Sequence, residues 1–352
     1  PLYQMSHNTA VIWQNWHHLN NIMEGNYSKI ILLTDTVVAK HCLGYFREKF
    51  RRNIDHVITI EAGEENKSMM SAASIWQELN LCKADRKSLL ICLGGGMICD
   101  LGGFAASVYK RGIKTMYVPT TLLAMTDASI GGKTAIDFEG IKNLIGSFHL
   151  PDSIFIDTHF LATLPAAEWL NGYAEIIKHA IIADAELWNL LNPEHFRPTI
   201  ISDDLLTRSI NIKQSIVAVD PFEQTERKKL NFGHTAGHAL EAYFFNKEKT
   251  LSHGQAVAAG MIIESYINMC SGKLSEKTYE QIRDFILKYF PAIGFKNEEI
   301  ADVAELCKHD KKREFGTLTI TKIIAIGLSE PDLIITEQQL KEGLEAYIRA
   351  TS

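Results

Sequence analysis

The feature that most constrains this chain is an apolar strand that runs into three glycines and then into an apolar helix. Residues 88–93 predict the strand, Gly94–Gly96 the turn, and residues 99–110 the helix. Glycines in such a turn let backbone N–H groups approach a diphosphate, and the N-terminus of the next helix adds partial positive charge. The order is not the dinucleotide fingerprint GxGxxG, so the turn alone is weak evidence for a particular ligand. It predicts a parallel α/β sheet with a phosphate-cradling turn.

The residues that follow this unit carry unusual chemistry. A second strand is predicted over residues 114–118. After it come hydroxyls, a carboxylate, two further glycines and two lysines: Thr120, Thr121, Asp127, Gly131, Gly132, Lys133, Lys142 and Asn143. Such groups beside nucleotide-type glycines predict a nucleotide site next to a second, anionic ligand.

Length and composition set the remaining bounds. A chain of 352 residues with 46% hydrophobic and 22% charged residues can bury a sizeable core, and two domains are expected. A net charge of -6 gives no reason to expect nucleic acid or an anionic membrane as a partner. We find no signal peptide and no apolar run that predicts a membrane span. Six cysteines without CxxC or framework spacing favour a cytoplasmic, reducing compartment.

The pattern changes near Pro165. Up to residues 153–157, strands alternate with helices, which predicts a Rossmann-like, doubly wound α/β domain over residues 1–165. From residue 166 to 352 the pattern is helical, with only residues 318–326 strand-like, so an all-α domain is expected there. A ligand cleft is expected between the two. Asp35, which ends an early strand, is either a helix N-cap, the commoner role, or a ribose ligand.

Metal-binding residue types cluster in the helical half. Glu175 shares a helix face with Lys178 and His179, in surroundings apolar enough to suggest burial. His234 and His238 are spaced i, i+4, as a divalent metal site favours, although Thr235 excludes the metalloprotease motif HExxH. A third histidine, His253, begins another apolar helix. One glutamate with two or three histidines predicts a catalytic zinc-type site, and spacing leaves open whether His234 or His238 is the ligand.

Cationic side chains form the last candidate set. They are Arg111, Lys133, Lys142, Lys178, Lys213, Arg227, Lys311 and Lys312. Scattered lysines are usually solvated surface, but Lys133 and Lys142 lie within the glycine-rich region. A substrate with both a phosphate and a carboxylate would explain several cations at one site.

Seven segments, in order, resemble the motifs of the 3-dehydroquinate synthase family. They are GGGMICDLGGFAASVYKRG, VPTTLLAMTDASIGGKTAID, KNLIG, NGYAEIIKHA, LNFGHTAGHALE, SHGQAVAAGM and HDKK. The resemblance implies a homodimer with an NAD-binding α/β domain and a helical metal domain. It implies a phosphate-eliminating lyase of the shikimate pathway, which converts 3-deoxy-D-arabino-heptulosonate 7-phosphate to 3-dehydroquinate. Its cofactors are NAD and one zinc or cobalt ion.

The resemblance also assigns roles to individual residues. The metal ligands are Glu175, His234 and His253. The NAD-binding residues are Asp35, Glu64, Lys67, Gly95, Gly96, Asp100, Thr120, Thr121, Phe160 and Thr163. The catalytic residues are Glu223, His238, Lys133, Asp127, Lys178 and Arg227. The other substrate-binding residues are Arg111, which reaches a neighbouring subunit, and Lys142, Asn143, Lys213, Asn231 and Lys311, with Lys312 as the alternative to Lys311.

The chain departs from the family pattern at a few positions. Pro221-Phe222 replaces an acid and a basic or polar residue, Thr225 replaces glycine, and Gln255 replaces a glutamate beside His253. Three alternatives stay open at this stage. They are a glycerol-dehydrogenase-like enzyme, a sibling sugar phosphate cyclase and a non-catalytic NAD-binding protein. The GGK and KN signatures and the carboxylate-binding Lys213 and Arg227 favour dehydroquinate synthase.

Overall fold

The chain divides into two compact units, Pro1–Pro165 and Ala166–Ser352, which we call the N-terminal and C-terminal units. The computed structural model describes residues 9–22, 27–191, 199–247, 249, 251–311 and 317–352. The division falls where the sequence pattern changes from alternating strands and helices to helices.

The N-terminal unit is built on a parallel sheet. Its described strands are β1 (Ala10–Trp13), β2 (Ile30–Asp35), β3 (His56–Ile60), β4 (Leu89–Gly94), β5 (Lys114–Pro119), β6 (Lys133–Phe138), β7 (Ile141–Phe148) and β8 (Ser153–Ile156). Six of them form one sheet in the order β1-β8-β5-β4-β2-β3, with every pair parallel. All residues of β2 and β4 are buried, as expected for central strands covered by helices on both faces.

Short helices connect these strands. They are α1 (Trp16–Ile22), α2 (Thr36–His41), α3 (Leu43–Lys49), α4 (Met69–Leu81) and α5 (Gly96–Val108). Helix α5 begins three residues earlier than predicted, directly in the glycine turn. The Rossmann-like, doubly wound prediction for this half is thereby confirmed.

Strands β6 and β7 pair as an antiparallel hairpin that the sequence pattern did not predict. The turn residues Glu139 and Gly140 both have positive φ, 50° and 77°, as a two-residue type I′ hairpin requires. Four large apolar side chains on the hairpin are exposed. The sequence therefore lacks the alternation of apolar and polar residues that predicts a strand. Lys133 and Lys142, which the sequence placed only within the glycine-rich region, lie on these two strands.

The C-terminal unit is helical, as predicted. Its described helices are α6 (Ala166–Ala183), α7 (Ala185–Leu190), α8 (Asp203–Val219), α9 (His234–Asn246), α10 (His253–Cys270), α11 (Glu276–Tyr289), α12 (Ile300–Lys311) and α13 (Glu337–Thr351). Helix α10 is buried around nearly its whole circumference and contacts α6, α9, α11 and α13. It is the central element of this unit.

One addition to the helical prediction is a hairpin of β9 (Thr319–Ala325) and β10 (Leu328–Ile334). The strand-like pattern near residues 318–326 predicted β9, but β10 was missed because its sequence, LSEPDLI, contains a proline and is mostly exposed. Within the described part of the chain, no helix is long and apolar enough to cross a bilayer.

Candidate active site

Three helices of the C-terminal unit bring metal-binding atoms together. Glu175 lies in the middle of α6, and His234 and His253 are the first residues of α9 and α10. One donor atom of each lies within 4.8 Å of the donor atoms of the other two. Glu175 Oε1 is 3.5 Å from His234 Nε2 and 3.4 Å from His253 Nε2. A fully buried carboxylate facing two imidazoles is a donor set suited to Zn²⁺ or Co²⁺.

The Nδ1 atoms of both histidines, which face away from Glu175, also have polar neighbours. His234 Nδ1 is 3.1 Å from the carbonyl oxygen of Phe232, so this nitrogen donates and Nε2 is left to face Glu175. His253 Nδ1 is 3.9 Å from Glu241 Oε2. Backbone carbonyls and carboxylates are the usual partners that orient metal-binding histidines. A role for Glu241 was not predicted from the sequence, although Glu241 follows His238 by about one helical turn.

His238 does not join this set of donor atoms. Its ring centroid lies 5.1 Å from that of His234 and 6.3 Å from that of His253, and the side chain is exposed. The geometry therefore groups His234, rather than His238, with Glu175 and His253. That choice was left open by the i, i+4 spacing alone.

Electrostatics keep the buried glutamate charged. Burial acts to raise the pKa of Glu175, but the ammonium of Lys178, which forms an ion pair with its carboxylate, and the two histidines hold that pKa well below its usual range. Burial and Lys178 hold the pKa of His234 well below its usual range, so its imidazole is neutral. Burial lowers the pKa of His253, but Glu175 and Glu241 outweigh it and raise that pKa to about 9. An ion bound here would displace the proton from His253.

A tight loop after α8 organises a second group of candidate residues. The carboxylate of Asp220 accepts the backbone N–H groups of Gln224 (3.0 Å), Thr225 (2.6 Å) and Arg227 (3.1 Å). Glu223, on the same loop, has a left-handed backbone with φ of 59°. Asp220 was not singled out from the sequence, because a lone aspartate at a helix end does not reveal which N–H groups it binds.

The side chains of this loop contact one another. Asn231 Nδ2 donates to Glu223 Oε1 at 2.8 Å. The buried Arg227 donates to the main-chain carbonyl of Pro221 at 2.6 Å. Glu223, Arg227 and Asn231, to which the family resemblance assigns catalytic or substrate-binding roles, thus lie on one segment with their side chains held by neighbours.

The remaining described residues expected in this unit lie on α6, α8, α10 and α12. Lys178 and Lys213 are buried, on α6 and α8. Lys311 ends α12, but its side chain lies outside the described residues, as does the whole of Lys312. Gln255 pairs with Ser252 in a capping box at the start of α10, so the residue that departs from the family pattern anchors the helix carrying His253.

In the N-terminal unit, the residues expected to bind NAD all follow the carboxyl ends of the strands of one parallel sheet. Asp35 ends β2, Glu64 and Lys67 follow β3, and the others follow β4, β5 and β8: Gly95, Gly96, Asp100, Thr120, Thr121, Phe160 and Thr163. That edge of an open parallel sheet is where α/β folds bind nucleotides.

The glycine turn at this edge has no room for side chains. A Cβ on Gly94 would lie 2.5 Å from Ile98 Cβ, and one on Gly95 would lie 3.2 Å from Thr121 Cγ2. Gly95, which caps α5, makes no side-chain hydrogen bond to the first N–H groups of the helix. The buried hydroxyl of Thr120 has no hydrogen-bond partner among the described residues. These features fit a diphosphate at the start of α5.

Asp35 takes the structural role that the sequence also allowed. Its Oδ1 accepts the N–H groups of Val37 at 2.9 Å and Val38 at 2.8 Å, which caps α2. A carboxylate held in this way has a fixed orientation at the sheet edge, so capping and ribose binding are compatible.

Lys67 joins the two groups of candidate residues in this unit. Its buried ammonium donates to Asp100 Oδ2 at 2.6 Å and to Asn143 Oδ1 at 2.5 Å. Burial raises the pKa of Asp100, and although Lys67 opposes this, the pKa lies at about 6. Asp137, missed from the sequence, accepts the backbone N–H of Asn143 at 2.8 Å and supports its left-handed φ of 54°. A residue expected to bind NAD is thus bonded to one expected to bind substrate.

The other expected residues of this unit lie at its surface or beside the glycine turn. Asp127 lies in a π-helical turn, Ala124–Ala128, and Lys133 and Lys142 are exposed on the hairpin. Arg111 is exposed in a 3₁₀ turn, Tyr109–Arg111, with φ of 68°.

Solved structures share this fold over nearly the whole chain. A 2-epi-5-epi-valiolone synthase from Streptomyces hygroscopicus, solved with NAD⁺ and Zn²⁺, has a TM-score of 0.83 at 24% identity, with 99% of this chain and 98% of that one covered. A 2-deoxy-scyllo-inosose synthase, solved with carbaglucose-6-phosphate, NAD⁺ and Co²⁺, has a TM-score of 0.81 at 22% identity and covers 96% of each chain. The protein therefore has the fold found in these two synthases.

Sequence comparison narrows the class to one family. The N-terminal model of 3-dehydroquinate synthase matches residues 57–171, and the C-terminal model matches residues 172–313. The 3-dehydroquinate synthase of Parabacteroides distasonis is 40% identical over 329 residues, 91% of this chain and 92% of that protein. The chain belongs to the 3-dehydroquinate synthase family.

Proposed function

We propose that the protein catalyses the reaction of its family, the conversion of 3-deoxy-D-arabino-heptulosonate 7-phosphate to 3-dehydroquinate and phosphate. The observation that carries the proposal is the convergence of Glu175, His234 and His253 donor atoms within 4.8 Å. A family member at 40% identity to a 3-dehydroquinate synthase that keeps these three residues together has the parts for catalysis.

The cofactors are NAD and one divalent ion, Zn²⁺ or Co²⁺. The structural relatives solved with NAD⁺ and these ions support this choice, as do the side-chain-free turn at Gly94 and the Glu–His–His donor set. Together the two cofactors supply reversible hydride removal from a secondary alcohol and Lewis-acid polarisation of that hydroxyl.

The C-terminal unit handles the carboxylate and the protons. Lys213 and Arg227 bind the carboxylate of the sugar acid, and the hydrogen bond of Arg227 to Pro221 fixes the guanidinium direction. Glu223 accepts a proton, with Asn231 orienting its carboxylate. Lys178 and His238 bind substrate oxygens, and the exposed His238 transfers protons.

The N-terminal unit holds NAD and part of the substrate. Gly95 and Gly96 admit the diphosphate, with the rest of the sheet-edge set around the nucleotide. Asp127, Lys133, Lys142 and Asn143 bind the hydroxyls and the phosphate of the substrate. Lys311, on α12 of the C-terminal unit, binds the same groups. Cations neutralise the phosphate as its C–O bond breaks, and they hold the leaving group where it takes the proton of the neighbouring carbon.

The family resemblance supports two further proposals: the protein is a cytoplasmic enzyme, and it is a homodimer in which Arg111 reaches the partner's site. The exposure of the Arg111 side chain supports the second. In sedimentation measurements Arg111→Ala is expected to remain dimeric but lose activity. Mixed dimers of Arg111→Ala with a Lys133→Ala chain should recover part of the activity, because one composite site keeps both residues.

The decisive experiment gives purified protein NAD, divalent metal and the heptulosonate phosphate, with free phosphate and dehydroquinate measured together. Equal amounts of the two products are expected. Phosphate release only from sedoheptulose 7-phosphate would instead assign the protein to a sibling cyclase. Lys133→Ala should abolish turnover and leave the fold intact, while Lys87→Ala, an exposed lysine of the same unit, should keep full activity.

A further inference from the structure

A buried carboxylate outside the candidate metal centre holds one of its helices in place. Glu264 lies on α10 and is fully buried. Its Oε2 accepts the N–H of Gly233 at 2.9 Å, and its Oε1 accepts the N–H of Ala236 at 3.3 Å. Both donors belong to the start of α9, and His234 lies between them in the chain. We propose that Glu264 is a positioning residue that sets where His234 stands in the metal centre.

The start of α9 needs an acceptor from elsewhere. The first N–H groups of a helix have no partner within the helix, and the N-cap residue here is Gly233, which has no side chain to bind them. A buried carboxylate is costly unless it is hydrogen-bonded, and the positive end of a helix dipole favours it. The Glu264 carboxylate therefore accepts hydrogen bonds from the first N–H groups of α9, and burying either the carboxylate or these N–H groups without the other would be costly.

Close packing fixes the same turn against α10. Gly233 has a left-handed backbone with φ of 78°, and a Cβ on it would lie 2.6 Å from Met261 Cγ. A Cβ on Gly260 would lie 1.9 Å from the carbonyl oxygen of Gly233. The turn that precedes His234 thus packs directly against α10. A shift of this turn along α10 would break the hydrogen bonds to Glu264.

This arrangement ties two metal ligands to one helix. Helix α10 begins with His253 and carries Glu264 three turns later. Since His234 Nδ1 is held by the carbonyl of Phe232 in the same turn, the direction of its Nε2 follows the backbone that Glu264 binds. Helix α10 therefore supplies one ligand directly and orients another through Glu264. The inference rests on the proposed function, which makes Glu175, His234 and His253 the metal ligands.

The test compares cobalt binding by Glu264→Gln and by the wild-type apo-protein. The amide keeps the size of the side chain but turns an NH₂ group towards one of the two N–H donors. We expect Co²⁺ affinity to fall about 10- to 100-fold, as it does when outer partners of metal ligands are changed, and the visible Co²⁺ absorption bands to shift. If Glu264→Gln does not fold, Glu264→Asp, which keeps the charge but shortens the reach, serves instead.

Asn268→Ala is the matched control. Asn268 lies one turn further along α10 and is fully buried. Its side chain bonds to the backbone of Thr321 and Ile323 on β9 and to the backbone carbonyl of Glu264, so its removal leaves the Glu264 carboxylate and the bonds of that carboxylate to α9 in place. Asn268→Ala should lower the unfolding temperature of the apo-protein while leaving the cobalt spectrum unchanged and the affinity within twofold of wild type.

Three results would overturn the inference. In two of them, Glu264→Gln binds cobalt with the wild-type spectrum and affinity, or Asn268→Ala disturbs the spectrum as much as Glu264→Gln does. Both leave the proposed function intact. In the third, the wild-type protein binds no cobalt, which removes the proposed metal centre and this inference together.

Discussion

The glycine turn of the candidate nucleotide site in the N-terminal unit is main chain, whereas the candidate metal centre of the C-terminal unit is made of side chains, of which Glu175 is fully buried. At Gly94 and Gly95 the turn has no room for side chains, and the N-cap residue Gly95 makes no side-chain hydrogen bond to the first N–H groups of α5. At Glu175, the proposed metal centre depends on a carboxylate charge that is buried and paired with Lys178. The first site should therefore be damaged by adding atoms and the second by removing them.

The largest effect is expected from Glu175→Gln. Removing one partner of a buried ion pair leaves Lys178 charged without compensation, which costs about 3–5 kcal/mol of unfolding free energy. The same change removes a metal donor, so metal content measured by elemental analysis should fall to background. The double variant Glu175→Gln/Lys178→Met should recover stability but not metal. Metal bound at wild-type stoichiometry in the single variant would contradict the side-chain description of this site.

Gly94→Ala should damage the other site by addition. The new Cβ would lie 2.5 Å from the branched Cβ of Ile98, so the start of α5 must move, at a cost of about 1–3 kcal/mol. NAD affinity, measured by calorimetry, should weaken together with stability. Gly44→Ala is the control, because a Cβ on Gly44 in α3 meets nothing within 4 Å, and it should be neutral or stabilising. Unchanged NAD binding in Gly94→Ala would break the comparison.

Asp220→Asn tests a site that combines main chain and side chain, because the Asp220 carboxylate binds main-chain N–H groups. Burial acts to raise the pKa of Asp220, but the N–H groups of Gln224, Thr225 and Arg227 outweigh it and hold the pKa below its usual range. A lowered carboxyl pKa adds stability above the unfolded value of about 3.9, and this stability is lost as pH falls through the lower folded value.

The amide should therefore cost about 1 kcal/mol at pH 7, the difference between charged and neutral hydrogen bonds. Urea unfolding should show this gap narrowing below pH of about 4. Activity should fall as well, because Glu223 and Arg227 share the loop. Glu226→Gln, which affects only an ion pair between partly exposed side chains with Lys229, is the control and should change stability by less than about 1 kcal/mol. A gap independent of pH would contradict the assigned role of Asp220.

The smallest effect is expected from Gln255→Glu, which restores the common family residue. The side chain already completes the capping box of α10, so the added charge gains only its interaction with the helix dipole, about 0.3–1 kcal/mol. The thermal unfolding temperature should rise slightly. A large change in cobalt affinity would instead mean that residue 255 acts on His253 directly and that the metal centre extends further than its three donors.

Much of the fold could be predicted because its signals are local. The bounds of β4, β5 and β9 agree with the sequence pattern to within about one residue, since apolar periodicity acts over a few residues. The hairpin of β6 and β7 could not be predicted in the same way, because its exposed apolar residues carry no alternation. The outer partners Asp137, Asp220 and Glu264 also escaped, since a lone acid in the sequence does not reveal the N–H group it binds.

By itself, the sequence determined the glycine turn after a buried strand, the change to helices at Ala166, and the residue types that bind a metal and an anionic sugar. These follow from steric room, periodicity and chemistry that each segment carries alone. The i, i+4 spacing left His234 and His238 open and only the family resemblance favoured His234, whereas the tertiary structure groups His234, rather than His238, with Glu175 and His253. That choice depends on how α9 is held against α10 by Gly233, Gly260 and Glu264, and such packing between distant segments leaves no periodic trace in the chain.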